Sequence, residues 1–192
     1  DQVSMNPERI ILSFAVAGIC FLFRESLEAD PMTHLLVQLP VLTISGYLFV
    51  IGMGELNPRI TERLANAFSL VAVFGILFWM LPRYIDATLV SPVVELAKFI
   101  SIPVLVGGSL AIGWAKSNPF LRGFLKANAI SMLGVLAFLY IHAPVRICNS
   151  YLLADQERLG FGFLISAVGL GIAWAIPLFS PSQKELHFQS SQ

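Results

Sequence analysis

The chain has 192 residues, of which 56% are hydrophobic and only 12% charged, and its formal net charge is zero. An ordinary soluble domain carries about 25% charged residues, so this one has too few polar side chains to cover a water-facing globule, and its main solvent must be lipid. No basic run and no acidic tail is present, which excludes nucleic acid as a partner.

Five times a short polar residue stands directly before a proline at the head of an apolar run: Asn6-Pro7, Asp30-Pro31, Asn57-Pro58, Ser91-Pro92 and Asn118-Pro119. Asn, Asp and Ser accept from the free N–H groups of a first helical turn, and proline at the first helical position gives up an N–H that has no partner there. A sixth run opens at Asp155 without proline, and successive starts fall 24 to 37 residues apart. That is room for a helix of roughly 20 residues across a bilayer core of about 30 Å, plus a short turn. The spacing predicts an all-α fold, a bundle of six transmembrane helices over 7–24, 31–53, 58–82, 92–115, 119–143 and 156–179. Residues 1–179 are expected to form a single domain, and 180–192 a polar, mobile tail.

In chain order, the first run ends at Arg24-Glu25-Ser26-Leu27-Glu28. This segment lacks a small-x-small cleavage pattern and is read as following a retained helix rather than a signal peptide. The second helix carries His34 in its first turn with Gln38 at i+4, and Pro40 inside it is expected to bend it. The third ends near Trp79, Met80, Arg83 and Asp86, where Trp79 and Tyr84 suit an interfacial aromatic belt. In the fourth, Glu95 and Lys98 are three residues apart on one face and are expected to pair, while Pro103 is expected to bend the helix. Gly107 with Ala111, Gly162 with Ser166 and Gly169 with Ala173 are spaced to let neighbouring backbones approach. The fifth helix ends at His142, and the loop after it supplies Arg146, Cys148, Asn149, Tyr151 and Asp155.

Lys and Arg near the helix ends set the orientation. With the N-terminus inside, seven basic residues (Arg9, Arg59, Arg63, Lys116, Arg122, Lys126, Lys184) face in and four (Arg24, Arg83, Arg146, Arg158) face out. Both termini are therefore expected inside, in a bacterial inner membrane. This topology gathers His34, His142, Met32, Met80 and Cys148 in the outer layer, with a polar network of Gln38, Arg83, Asp86, Glu95, Lys98 and Arg146 beside them. Imidazole with soft sulfur ligands suits copper better than magnesium or calcium. Polar residues also belong at membrane interfaces for their own sake, and no pair here has C-x-x-C or H-x-x-x-H spacing. Cys20 and Cys148 are read either as two buried thiols or as a disulfide.

The segment Met32-Thr33-His34-Leu35-Leu36-Val37-Gln38-Leu39-Pro40 resembles the second-helix signature of CtaG-type proteins, polytopic membrane proteins implicated in copper delivery to cytochrome oxidase. The resemblance covers nine residues and implies a copper-handling role for His34, though Leu39 stands where that family tends to place a second histidine. Catalytic motifs of the G-x-S-x-G, Walker, dinucleotide or H-E-x-x-H type are absent, so the chain is not expected to be an enzyme. The expected function is an assembly or metallation factor beside a larger copper or redox membrane enzyme. The alternatives are a permanent accessory subunit without a metal and a small transporter. Membrane lipids and other membrane subunits are the expected partners. The cofactor is unknown, with copper the candidate.

The topology has a direct check. An impermeant maleimide is expected to label Ser150→Cys in intact cells; labelling only after the membrane is opened from the inner side would reverse the orientation.

Overall fold

The computed structural model describes residues 5–54, 57–145, 147, 148 and 150–179. Among the described residues eight helices make up the fold, with no strand. They are α1 (Pro7–Leu22), α2 (Arg24–Glu28), α3 (Pro31–Gly52), α4 (Pro58–Trp79), α5 (Pro82–Val90), α6 (Pro92–Gly113), α7 (Pro119–His142) and α8 (Leu153–Phe179). The capping chemistry holds at four of the five proline starts. Asn6, Asp30, Asn57 and Asn118 accept from the backbone N–H of Arg9, Met32, Arg59 and Phe120. Ser91 forms no side-chain cap bond, but its carbonyl accepts the first helical bond of α6 from Glu95 N at 3.0 Å. Two helices were not foreseen, α2 and α5; α5 begins at Pro82 after Leu81, which has no side-chain acceptor to mark the start. The last helix begins at Leu153, so Asp155 sits in its first turn instead of capping it.

Among the described residues five helices are long and apolar enough to cross a membrane: Pro31–Gly52, Pro58–Trp79, Pro92–Gly113, Pro119–His142 and Leu153–Pro177. The expected count was six. The first predicted span is the one that differs, because α1 has 16 residues and at 1.5 Å per residue reaches about 24 Å, short of a core of about 30 Å. The chain breaks at Phe23 and restarts as α2.

Pro40 and Pro103, which were expected to bend their helices, coincide with widened turns. His34–Gln38, just ahead of Pro40, and Ile102–Gly108, around Pro103, are π-helical. A proline removes one N–H and crowds the carbonyl four residues back, and a wider turn relieves that crowding. The two distorted helices then cross at glycine. A Cβ on Gly46 of α3 would overlap the backbone of Pro103 in α6, and one on Gly107 would sit 2.9 Å from Gly46 Cα. At the other pairs read from sequence, Gly162 lies against Leu36 and Met32, whereas nothing comes within 4 Å of a Cβ at Gly169. The close approach on α8 therefore occurs at its first half only.

Helix α1 lies along α3, where Ser13 Oγ donates to the carbonyl of Ser45 at 2.8 Å; α3 and α4 both pack on α6. Trp79 Nε1 ties α4 to α6 through Ser101 Oγ at 2.9 Å, and the indole is buried in the core. Helices α7 and α8 form a hairpin whose principal contact with the rest is between α8 and the first turn of α3. At the end of the bundle that carries Tyr151 the two units share one core, including Leu35, Ile85, Tyr140, Leu159 and Phe163. Further along, the hairpin stands away and leaves an apolar cleft of about 700 Å³ between Ile76, Val106 and Leu110 on one side and Leu133, Ser166 and Gly169 on the other.

Because the atoms nearest a Cβ there are backbone atoms of Thr43, Gly46 and Tyr47, Gly107→Val is expected to destabilise the bundle by about 3 kcal/mol or more through overpacking. Gly134→Ala, where a Cβ meets open space, is expected to have no adverse effect. Thermal unfolding of both variants in detergent checks the pair.

Candidate functional site

Lys98 projects from α6 into the interior and is 1% exposed. An ammonium group has three protons and no acceptor, and here three acceptors surround it. Glu28 Oε1 lies at 2.5 Å, Gln38 Oε1 at 2.9 Å and His34 Nε2 at 3.2 Å. Gln38 Nε2 donates in turn to Glu28 Oε1 at 2.9 Å. Four segments meet here: the end of α2, the widened turn of α3 that soon follows it, and, from far along the chain, the second turn of α6 and the loop before α8.

The loop contributes Tyr151. Its hydroxyl donates to the backbone carbonyl of Glu28 at 2.8 Å and lies 3.0 Å from His34 Nδ1. Since the hydroxyl proton is committed to Glu28, Nδ1 must carry the proton that bridges to the tyrosine oxygen, leaving the Nε2 lone pair for Lys98. Geometry thus assigns a neutral Nδ1–H imidazole. Burial, and next the nearby Glu28 carboxylate, raise the Tyr151 phenol well above its usual range, which keeps the donor proton in place. Among the described residues no buried side-chain nitrogen or oxygen lacks a partner. In a low-dielectric interior such completeness is what makes a buried charge tolerable.

The expected pairing of Glu95 with Lys98 along α6 does not form. Each crosses to α2 instead: Lys98 to Glu28, and Glu95 to Arg24 at 3.0 Å. The order is positive then negative along α2, and negative then positive along α6. Two opposite pairs therefore lie across one interface, a more stable arrangement than one pair within a helix, because it satisfies all four charges.

Of the candidate metal ligands, His34 is buried in this cluster with both ring nitrogens engaged. His142 is exposed on α7, stacked on Phe138 with ring centroids 4.5 Å apart, its Nδ1 3.0 Å from the Phe138 carbonyl oxygen. Met32 packs near Gly162, and Met80 lines the apolar cleft. Cys148 is buried 3.6 Å from the Tyr140 hydroxyl. Burial chiefly raises its thiol pKa, with Asp86 adding to the rise and the Tyr140 contact opposing it; a protonated thiol is a poor ligand. Cys20 and Cys148 are both free, which resolves the choice left open between thiols and a disulfide. Among the described residues no three His, Cys, Asp or Glu side chains gather closely enough to hold a metal. Of the predicted polar network, Gln38 and Lys98 join His34. Asp86 accepts from the backbone N–H of Ser150 at 3.1 Å, Arg83 is exposed, and Arg146 lies outside the described residues.

Sequence reasoning named Glu28 at the end of the first run and Tyr151 in the loop after His142 without assigning either to a site. The signal for Glu28 was Lys98 itself, since a lysine inside an apolar helix needs a carboxylate and the nearest acids in sequence are not the only ones within reach. Tyr151 had no comparable signal. Compared with protein-family models, with curated proteins and with solved structures, the chain matches none.

Removing one partner of a buried pair leaves the other charge stranded. Lys98→Met is expected to cost about 3 kcal/mol or more. Glu95→Gln, whose pair is partly exposed, is expected to cost less than about 1 kcal/mol. Combining Lys98→Met with Glu28→Gln is expected to recover part of the loss, and thermal unfolding of the three variants measures the coupling. His34→Ala is expected to destabilise as well, because the ring is 2% exposed.

Proposed function

We propose that the chain is a six-span, non-catalytic protein of the bacterial inner membrane, with both termini inside, that works beside a larger enzyme of the same membrane. In this reading α1 completes the bundle by lying along α3. The supporting observation is the saturation of the Lys98 cluster. All three ammonium protons and both imidazole nitrogens are used within the protein, an arrangement suited to holding four segments in one geometry rather than to exchanging partners with a substrate. The apolar cleft beside the α7–α8 hairpin offers surface at membrane depth for a partner's helix.

Two forms of this role differ in what they ask of His34. A copper-delivering assembly factor, the role implied by the likeness at 32–40, needs that imidazole to leave Lys98 or Tyr151 for the metal. A permanent accessory subunit needs no such exchange, and the engaged ring favours it. The accessory reading expects co-purification with one larger enzyme at fixed ratio after stringent detergent washing, and unchanged metal content in that enzyme when this chain is depleted. Substoichiometric recovery, with a copper deficit in the enzyme that added copper repairs, would select the assembly factor. No co-purifying enzyme and no metal defect would remove both.

A further inference from the structure

Away from the Lys98 cluster, the two helices of the hairpin part company. They are close where a Cβ on Gly160 would lie 2.7 Å from Ile141 Cγ1, and still in contact where Gly171 faces Ile130. Beyond that point a groove of about 530 Å³ opens between them, with Arg122 and Lys126 on α7 and Trp174 on α8 among its lining residues. Both basic side chains are half-buried, and neither forms an ion pair with any described residue. Lys126 Nζ lies 5.3 Å from the centre of the Trp174 ring. The first turn of α7 has no acidic residue, so two positive charges stand in the opening turns of a helix, where the dipole is also positive and an anion is favoured.

We propose that this groove holds the headgroup of an anionic phospholipid. Charge complementarity selects the headgroup: a phosphodiester supplies the missing negative charge and accepts from the Arg122 fork and the Lys126 ammonium together. Basic pockets between membrane helices suit such headgroups, and an indole is at home at headgroup level. The rest of the groove suits the attached chain. Ile130 and the small residues Gly123, Ala127 and Gly171 give an apolar floor, and a Cβ at Gly123 meets nothing within 4 Å. A soluble anion would use the two cations and leave that floor uncovered. The inference is independent of the partner-protein reading, since it concerns the opposite end of the bundle from the Lys98 cluster.

The test uses the full chain, delipidated in detergent, with thermal unfolding followed as phosphatidylglycerol, phosphatidylcholine or inorganic phosphate is added. Native mass spectrometry counts the lipid retained. Phosphatidylglycerol is expected to stabilise the protein and to be retained with an affinity about tenfold above that of phosphatidylcholine, while phosphate does nothing at equal concentration. Arg122→Gln with Lys126→Gln is expected to abolish that preference. Arg122→Lys with Lys126→Arg, which keeps both charges, is expected to retain most of it, and Arg158→Gln at the other end to leave it unchanged. Equal retention of the two lipids by the unaltered protein, a preference that survives loss of both charges, or equal stabilisation by phosphate would overturn the proposal.

Discussion

The burial of one ammonium group constrains this molecule more than any other single contact. Lys98 stands where neither water nor a lipid headgroup satisfies it, and a charge there is tolerated only with an opposite charge and a full set of acceptors. Glu28, Gln38 and His34 supply them, and Tyr151 fixes the imidazole by taking its other nitrogen. The members come from four stretches of chain, His34 and Gln38 sharing one turn, so the requirement of one side chain draws α2, α3, α6 and the loop before α8 to the same point. The second pair, Arg24 with Glu95, fixes the sense in which α2 lies against α6.

That convergence depends on how the prolines are accommodated. Pro40 and Pro103 force wider turns in α3 and α6, and the glycines at the crossing let the two distorted backbones touch. Because lipid offers no hydrophobic drive for helices to associate, close backbone contact and polar ties must hold the bundle together. The Gly46–Gly107 crossing supplies the first and the Lys98 cluster the second. The widened turn at His34–Gln38 sets both side chains toward the same ammonium group, so the helix irregularity and the polar site are one feature.

The hairpin of α7 and α8 is held differently. Its shared core with the rest of the bundle lies at the Tyr151 end, and an apolar cleft separates the two further along. At its far end the hairpin itself opens into the groove of Arg122 and Lys126. The chain thus has a polar, internally satisfied end and an end where Arg122 and Lys126 form no ion pair with any described residue. The first suits holding a fixed shape and the second suits contact with a charged surface.

Helix identity and helix starts were legible in the residues. Apolar length and an Asn-Pro or Asp-Pro pair are local properties, and a cap acts within its own turn, so four of the five expected caps and five of the six expected spans were read from the chain alone. Pro40 and Pro103 were legible as irregularities for the same reason. The short helices α2 and α5 were not, because Phe23 and Leu81 carry no capping acceptor. The end of the first helix was legible: expected at residue 24, it falls at Leu22, where the apolar run gives way to Arg24-Glu25. The cluster was half legible: His34 with Gln38, and Lys98 as a charge in need of a partner, could be named from spacing. Only the tertiary structure decided that this partner is Glu28 rather than Glu95, three residues away on the same helix, and that Tyr151 closes the set. Spacing ranks neighbours within one helix, whereas a buried charge takes whichever acceptors its surroundings bring within about 3 Å, and those surroundings exist only once the helices have packed.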